Sequence, residues 1–254
     1  MKEYGLIGHP LGHSFSRAFF AEKFHAEGID AAYLNFDISR VDMLADVLAQ
    51  HPMLVGLNCT IPYKEAVLPF LDEVSSEAKR IGAVNVIKIL RGNDLYSRFL
   101  GKGIRLIGYN SDVIGFTQSI APLLKPIHKK ALVLGTGGAA KAVCVGLTDL
   151  GVQYMQVSRR STEGMLTYMD ITEEIIHEYN VVVNCTPVGM FPHTNEAPLL
   201  PYEALTSEHL LFDLVYNPGE TLFLKRGVEA GSAVMNGMRM LELQALAAWD
   251  VWTK

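Results

Sequence analysis

The feature that most limits what this chain can fold into is the run Gly135-Thr136-Gly137-Gly138-Ala139-Ala140. Before it, Ala131-Leu132-Val133-Leu134 is apolar without alternation, as a strand covered on both faces requires. After it, the pattern predicts a helix over 139–150. Gly135 permits the tight turn, Gly137 lets backbone come close to a pyrophosphate, and the small Ala140 allows the helix to pack against the strand. The helix start offers unpaired N–H groups to phosphate. Gly135, Thr136, Gly137, Gly138 and Ala139 are therefore candidate dinucleotide contacts.

The next predicted strand, 154–157, runs into Ser158-Arg159-Arg160. A site selective for NAD carries a carboxylate here for the ribose hydroxyls. A hydroxyl and two guanidiniums suit a 2′-phosphate instead, so NADP is expected over NAD.

Strand-like and helix-like runs also alternate before the glycine turn: 4–7 then 19–25, 32–36 then 41–50, 55–60 then 65–71. Ser39 is a candidate N-cap for the second helix, and Pro62 ends the third strand. Strands over 83–90 and 104–109, joined by the polar Arg91-Gly92-Asn93-Asp94, predict a hairpin. A helix over 113–124, closed by Pro126, leads into the second series. Past the second strand of that series, a strand-like piece at 166–169 and a helix over 171–179 are expected. A final helix over 240–252 has Leu241, Ala245, Ala248 and Trp252 at helical spacing and is expected to return to the first domain.

The 254 residues exceed the usual size of one core, which favours two domains. The expected fold class is α/β, with an N-terminal α/β domain over 1–112 completed by 239–254 and a Rossmann-type domain over 113–238. A net charge of −5 offers no basic surface for nucleic acid or anionic lipid, which leaves small molecules as the expected partners. No apolar run approaches the roughly 20 residues of a membrane span, and no signal peptide is visible, so a cytoplasmic location is expected. Cys59, Cys144 and Cys185 lack metal-ligand spacing and are expected to be buried thiols, with no metal site.

Several fragments put polar groups where packing alone would not. They are His13-Ser14-Phe15-Ser16, Asn58-Cys59-Thr60-Ile61-Pro62-Tyr63-Lys64, Gly82-Ala83-Val84-Asn85 and Gly108-Tyr109-Asn110-Ser111-Asp112. Together with the glycine turn, with Asn184-Cys185-Thr186-Pro187-Val188-Gly189-Met190 and with Asp213-Leu214-Val215-Tyr216-Asn217-Pro218, this set resembles the shikimate dehydrogenase family nearly end to end. The resemblance implies NADP-linked interconversion of 3-dehydroshikimate and shikimate, in the pathway to aromatic amino acids, by a monomer or homodimer. It further implies a substrate domain made from the N-terminal half and the C-terminal helix.

By the same resemblance, Ser14 and Ser16 hold the substrate carboxylate, and Asn58, Thr60, Asn85, Tyr216 and Gln244 contact substrate. Lys64 and Asp112 match the catalytic pair. Hydride reaching a ketone builds negative charge on oxygen, which an ammonium can stabilise and protonate. The residues leave open whether Lys64 or a relayed water delivers that proton. Thr186 and Leu214 match cofactor-lining positions, and Gly237 the glycine that admits the nicotinamide.

The chain departs from the family pattern in places. Arg17 stands where proline usually follows the second serine, Ser158 where asparagine is usual, and Arg239 where a glycine is often found. The family usually has an additional helix within 161–179, whose loss would open the adenosine end and weaken NADP binding. Two other readings stay in view: a dehydrogenase for quinate or a related ring with NAD or NADP, and a non-catalytic sensor on the same fold. A sensor should have lost Lys64 and Asp112, and both are present.

Overall fold

The computed structural model describes residues 1–12, 14–92 and 103–254, so Asn93 and Asp94 of the expected hairpin loop, and His13, lie outside the described residues. The chain divides into two compact units, Met1–Ser111 with Ala245–Lys254, and Asp112–Gln244.

In the first unit the elements run β1 (Lys2–Gly8), α1 (Phe15–Ala26), β2 (Ala31–Asp37), α2 (Leu44–Gln50), β3 (Leu54–Cys59), α3 (Tyr63–Ala66), β4 (Glu73–Val74), α4 (Ser76–Ile81), β5 (Val86–Arg91) and β6 (Ile104–Tyr109). The strands form one sheet in the order β2-β1-β3-β5-β6-β4. β1 is parallel to both β2 and β3, whereas β5 is antiparallel to β3 and to β6. Ile7 pairs with Cys59, Asn58 with Val86, and Val86 with Tyr109. That register gathers the ends of β1, β3 and β6 and the start of β5 at one edge of the sheet.

One face of this sheet is covered by an aliphatic cluster that includes Ile7, Leu44, Leu54, Leu57 and Ile87. A second cluster is aromatic, with Tyr4, Phe20, Phe24, Tyr33 and Trp252. Trp252 lies so close to β3 that a Cβ on Gly56 would sit 2.5 Å from its ring, and its indole N–H donates to the Ile87 carbonyl at 3.1 Å. A side chain at position 56 would lift the indole off the strand.

The second unit contains α5 (Asp112–Ile120), β7 (Lys130–Leu134), α6 (Gly138–Asp149), β8 (Gln153–Ser158), β9 (Leu166–Thr167), α7 (Glu173–Glu178), β10 (Val181–Asn184), β11 (Leu210–Asp213), α8 (Leu222–Glu229) and β12 (Ala233–Met235). Its sheet runs β12-β11-β10-β7-β8-β9 and every pair is parallel. Counted from β7, this is the doubly wound order 3-2-1-4-5-6, with the reversal between β7 and β10. The last helix, α9 (Met238–Thr253), contributes its first residues to this unit and its later ones to the first.

Several boundaries differ from the sequence expectation. The expected unit boundary left Asp112 in the first unit and returned the chain to it at 239, but Asp112 and 239–244 lie in the second. The cause is close backbone packing at Gly115, where a Cβ would sit 2.6 Å from the Met240 carbonyl oxygen and 3.0 Å from Gln244 Cβ. Ser39 is not a cap: the 3-10 turn Val41–Met43 precedes α2, and the Ser39 hydroxyl faces Met43 Sδ at 3.7 Å. The expected helix over 65–71 is the four-residue α3 followed by a 3-10 turn at Leu68–Phe70, and that over 113–124 stops at Ile120, because Pro69 and Pro122 lack the N–H a helix interior needs. Ala83, Val84 and Asn85 precede β5 rather than belonging to it, and Tyr168–Asp170 is a 3-10 turn rather than strand. β4 and α4, with Ser75 capping α4 through Ala78 N–H at 3.2 Å, had no counterpart in the sequence reading. Cys59 and Cys144 are buried free thiols, while Cys185 is only partly buried.

Candidate active site

In the first unit, the sheet edge just described collects the polar fragments. α1 starts directly after Ser14, whose hydroxyl accepts from Arg17 N–H at 3.3 Å, so this serine is an N-cap as well as a candidate ligand. Ser16 is on the first turn and buried. Asn58 is the penultimate residue of β3 and Thr60 follows the strand, held by its N–H donating to Ile7 C=O at 3.0 Å. Lys64 lies on α3, partly buried, and its carbonyl accepts from Val84 N–H at 2.7 Å. Asn85 is buried beside the β6 end, where its side chain accepts from Ser111 N–H at 2.7 Å and pairs with the Ser111 hydroxyl at 3.0 Å.

Sequence reasoning missed the group that ties these positions together. Tyr33, on β2 and buried, donates its hydroxyl to Asn58 Oδ1 at 2.7 Å. Asn58 Nδ2 continues to the Asn85 carbonyl at 3.3 Å. Tyr33 gave no signal, since an alternating strand normally contains buried tyrosines. Ser111 and Asn110, by contrast, stood inside a quoted fragment; Asn110 donates to Ala83 C=O at 2.9 Å.

In the second unit, the carboxyl ends of β7, β8, β10 and β11 carry the other candidates. Gly135 has φ +114°, a conformation open to glycine and strained for other residues. Gly137 is the N-cap of the twelve-residue α6, no side chain caps that helix, and a Cβ at Gly137 would meet nothing within 4 Å. The helix start is thus an open cradle of backbone N–H groups, with Thr136 exposed and Gly138 and Ala139 in its first turn. At the end of β8, Arg159 and Arg160 are exposed and neither forms an ion pair among the described residues. Ser158 Oγ accepts from Arg160 N–H at 3.2 Å, which fixes the turn that presents them. These residues fit a pyrophosphate and a 2′-phosphate.

Thr186 and Leu214 are held by a buried network that sequence reasoning also missed. Asn184 Oδ1 accepts from Thr186 N–H at 3.0 Å and from its hydroxyl at 2.6 Å, while Asn184 Nδ2 donates to Asp213 at 2.9 Å. Asp213 also accepts from Thr221 Oγ1 at 2.6 Å and Val215 N–H at 3.0 Å. Burial pushes its carboxyl up to about 6, against these three hydrogen bonds. Gly237 has a structural requirement of its own: a Cβ there would lie 2.1 Å from the Leu214 carbonyl oxygen. Arg239 is exposed on α9 and paired with Glu242 at 3.3 Å, so it leaves that approach undisturbed. Asp112 opens α5 and is buried, Tyr216 is partly buried with its phenol pushed up by burial, and Gln244 is buried with Nε2 donating to Leu241 C=O at 3.0 Å. No additional helix occupies 159–165, between β8 and β9. Among the described residues no cluster of side chains could hold a metal ion, and no helix is long and apolar enough to cross a membrane.

A doubly wound sheet with an uncapped glycine turn at its switch point, joined in one chain to a mixed sheet with a polar edge, defines a two-domain α/β protein of the dinucleotide-binding class. Residues 6–87 match the model of the shikimate dehydrogenase substrate binding domain. Shikimate dehydrogenase (NADP(+)) of Carboxydothermus hydrogenoformans is 36% identical over 265 residues, covering 98% of this chain and 90% of that protein. The chain belongs to the shikimate dehydrogenase family. Its fold matches that of shikimate 5-dehydrogenase from Thermus thermophilus, solved in complex with NADP(H) and shikimate, with a TM-score of 0.84 and 32% identity over 100% of this chain and 94% of that one. It also matches the ligand-free 5-ketofructose reductase of Gluconobacter, with a TM-score of 0.79 and 29% identity over 99% of this chain and 92% of the other. The fold alone therefore does not fix the substrate.

Proposed function

We propose that this protein is an NADP-dependent oxidoreductase that interconverts 3-dehydroshikimate and shikimate. The observation that carries the reading is the convergence of Ser16, Asn58, Thr60 and Asn85 on one sheet edge with Lys64 on the following helix, in a chain whose other unit keeps an open phosphate cradle. The bound nicotinamide supplies or takes up the hydride. Lys64 is assigned to the ketone oxygen, where an ammonium stabilises developing negative charge and can furnish a proton, and Asp112 to its partner carboxylate. Ser14 and Ser16 are assigned to the substrate carboxylate, and Asn58, Thr60, Asn85, Tyr216 and Gln244 to the remaining polar groups of the ring. The Arg159-Arg160 pair favours the 2′-phosphate, and the short 161–179 stretch, with α7 as its one α-helix, supports weak adenosine binding. A monomer or homodimer in the cytoplasm completes the reading; three free cysteines suit a reducing compartment.

The test is purified protein with shikimate or quinate, each with NADP or NAD, followed by nicotinamide absorbance. Turnover is expected to be highest with shikimate and NADP. Faster turnover of quinate would reassign the ring, and a preference for NAD would remove the role of the arginine pair.

A further inference from the structure

Tyr33, Asn58 and Asn85 form a hydrogen-bond chain whose direction can be worked out. The Asn85 carbonyl only accepts, so the Asn58 amide must present Nδ2 to it, at 3.3 Å, and turn Oδ1 towards Tyr33. Oδ1 in turn only accepts, so the single phenolic proton of Tyr33 is committed to it, at 2.7 Å. All three residues are buried, and Tyr33 stacks on Phe20 of α1 at 4.8 Å between ring centroids, which locks the ring in place.

We infer that Tyr33 is a positioning residue for substrate capture, its hydroxyl holding Asn58 in fixed orientation at the substrate edge. The inference rests on the proposed function. Without the Tyr33 hydroxyl, Asn58 Oδ1 becomes a buried acceptor with no donor from β2. The stack on Phe20 needs only the ring, so Tyr33→Phe preserves packing while removing the oxygen.

The experiment compares wild type, Tyr33→Phe, Asn58→Ala and the double variant in steady-state kinetics with shikimate and NADP, with thermal unfolding alongside. Tyr33→Phe is expected to raise the shikimate KM about tenfold, the scale of one lost hydrogen bond, with the smaller change in kcat and none in the NADP KM. The double variant should fall short of the product of the two single effects, because Tyr33 acts through Asn58. An unchanged or lowered shikimate KM, a loss shared equally by the NADP KM, or full multiplicativity would overturn the inference while leaving the functional reading intact. A wild-type protein inert towards shikimate would overturn both.

Discussion

The two polar sheet edges are built from different materials. In the first unit the edge consists of side chains that hydrogen-bond to one another across β2, β3, β5 and β6, as in the Tyr33-Asn58 and Asn85-Ser111 pairs. In the second unit it is made of backbone, where Gly135 supplies a positive φ, Gly137 leaves open space at a helix start and Gly237 admits the Leu214 carbonyl. Backbone N–H groups serve any nucleotide phosphate, so this edge can be shared among dehydrogenases. Placed side chains are what can discriminate one small hydroxylated ring from another.

The sharpest way to break this contrast is Lys64→Ala. It should lower kcat by about a thousandfold, within the range for losing a general acid, while NADP binding measured by fluorescence titration stays unchanged. Near-normal turnover would show that the first unit's edge does not carry the chemistry.

Next in size is the pH dependence of stability, which probes the second unit's side-chain exception, Asp213. Its carboxyl is raised from 3.8 to about 6 by burial, so the folded state holds its proton more tightly than the unfolded state does. The resulting stabilisation is fully present below pH 3.8 and is lost as pH rises through about 6, a difference of about 3 kcal/mol. Denaturant unfolding across that window should show wild type losing stability relative to Asp213→Asn as pH rises; parallel curves would mean that the three hydrogen bonds cancel the effect of burial.

Gly137→Ala sharpens the comparison further. Nothing lies within 4 Å of the added methyl and the residue has φ −76°, which alanine adopts freely, so the melting temperature should hold. NADP affinity should nonetheless fall about tenfold, because the methyl occupies the space a pyrophosphate needs. A variant that bound NADP normally would place the phosphates elsewhere. The smallest effect is expected of Arg17→Ala, an exposed cation beside the capping Ser14: a rise in shikimate KM of about twofold at low salt, vanishing at high salt. An unchanged KM at low salt would assign Arg17 to solvent alone.

The same contrast explains what could be read from the sequence. The glycine turn was legible because a tight turn, a close approach and a tight helix contact each demand a particular residue type within six consecutive positions. The parallel strands of the second unit were legible as unbroken apolar runs. The first unit's network was only half legible: Ser16, Asn58 and Asn85 stood in recognisable fragments, but Tyr33 lies 25 residues from the amide it serves and looks like any core tyrosine of a strand. Asp213 and Asn184 were quoted but given no role, because their value depends on the parallel register that sets Asn184 opposite Asp213. The unit boundary falls one residue earlier at the first crossing and six later at the second than expected, since the packing of Gly115 against Met240 links positions far apart in sequence.

The split membership of α9 has a consequence for how the molecule is made. Residues 112–244 form a continuous stretch, whereas the aromatic cluster of the first unit waits for Ala248 and Trp252. On the ribosome, the nucleotide unit can therefore close its core while Gly56 and the Ile87 carbonyl still await the indole that covers them. The part of the chain synthesised first is completed last. Both tryptophans, Trp249 and Trp252, sit in that late-arriving segment, so their fluorescence times the final event of assembly and is blind to the earlier one.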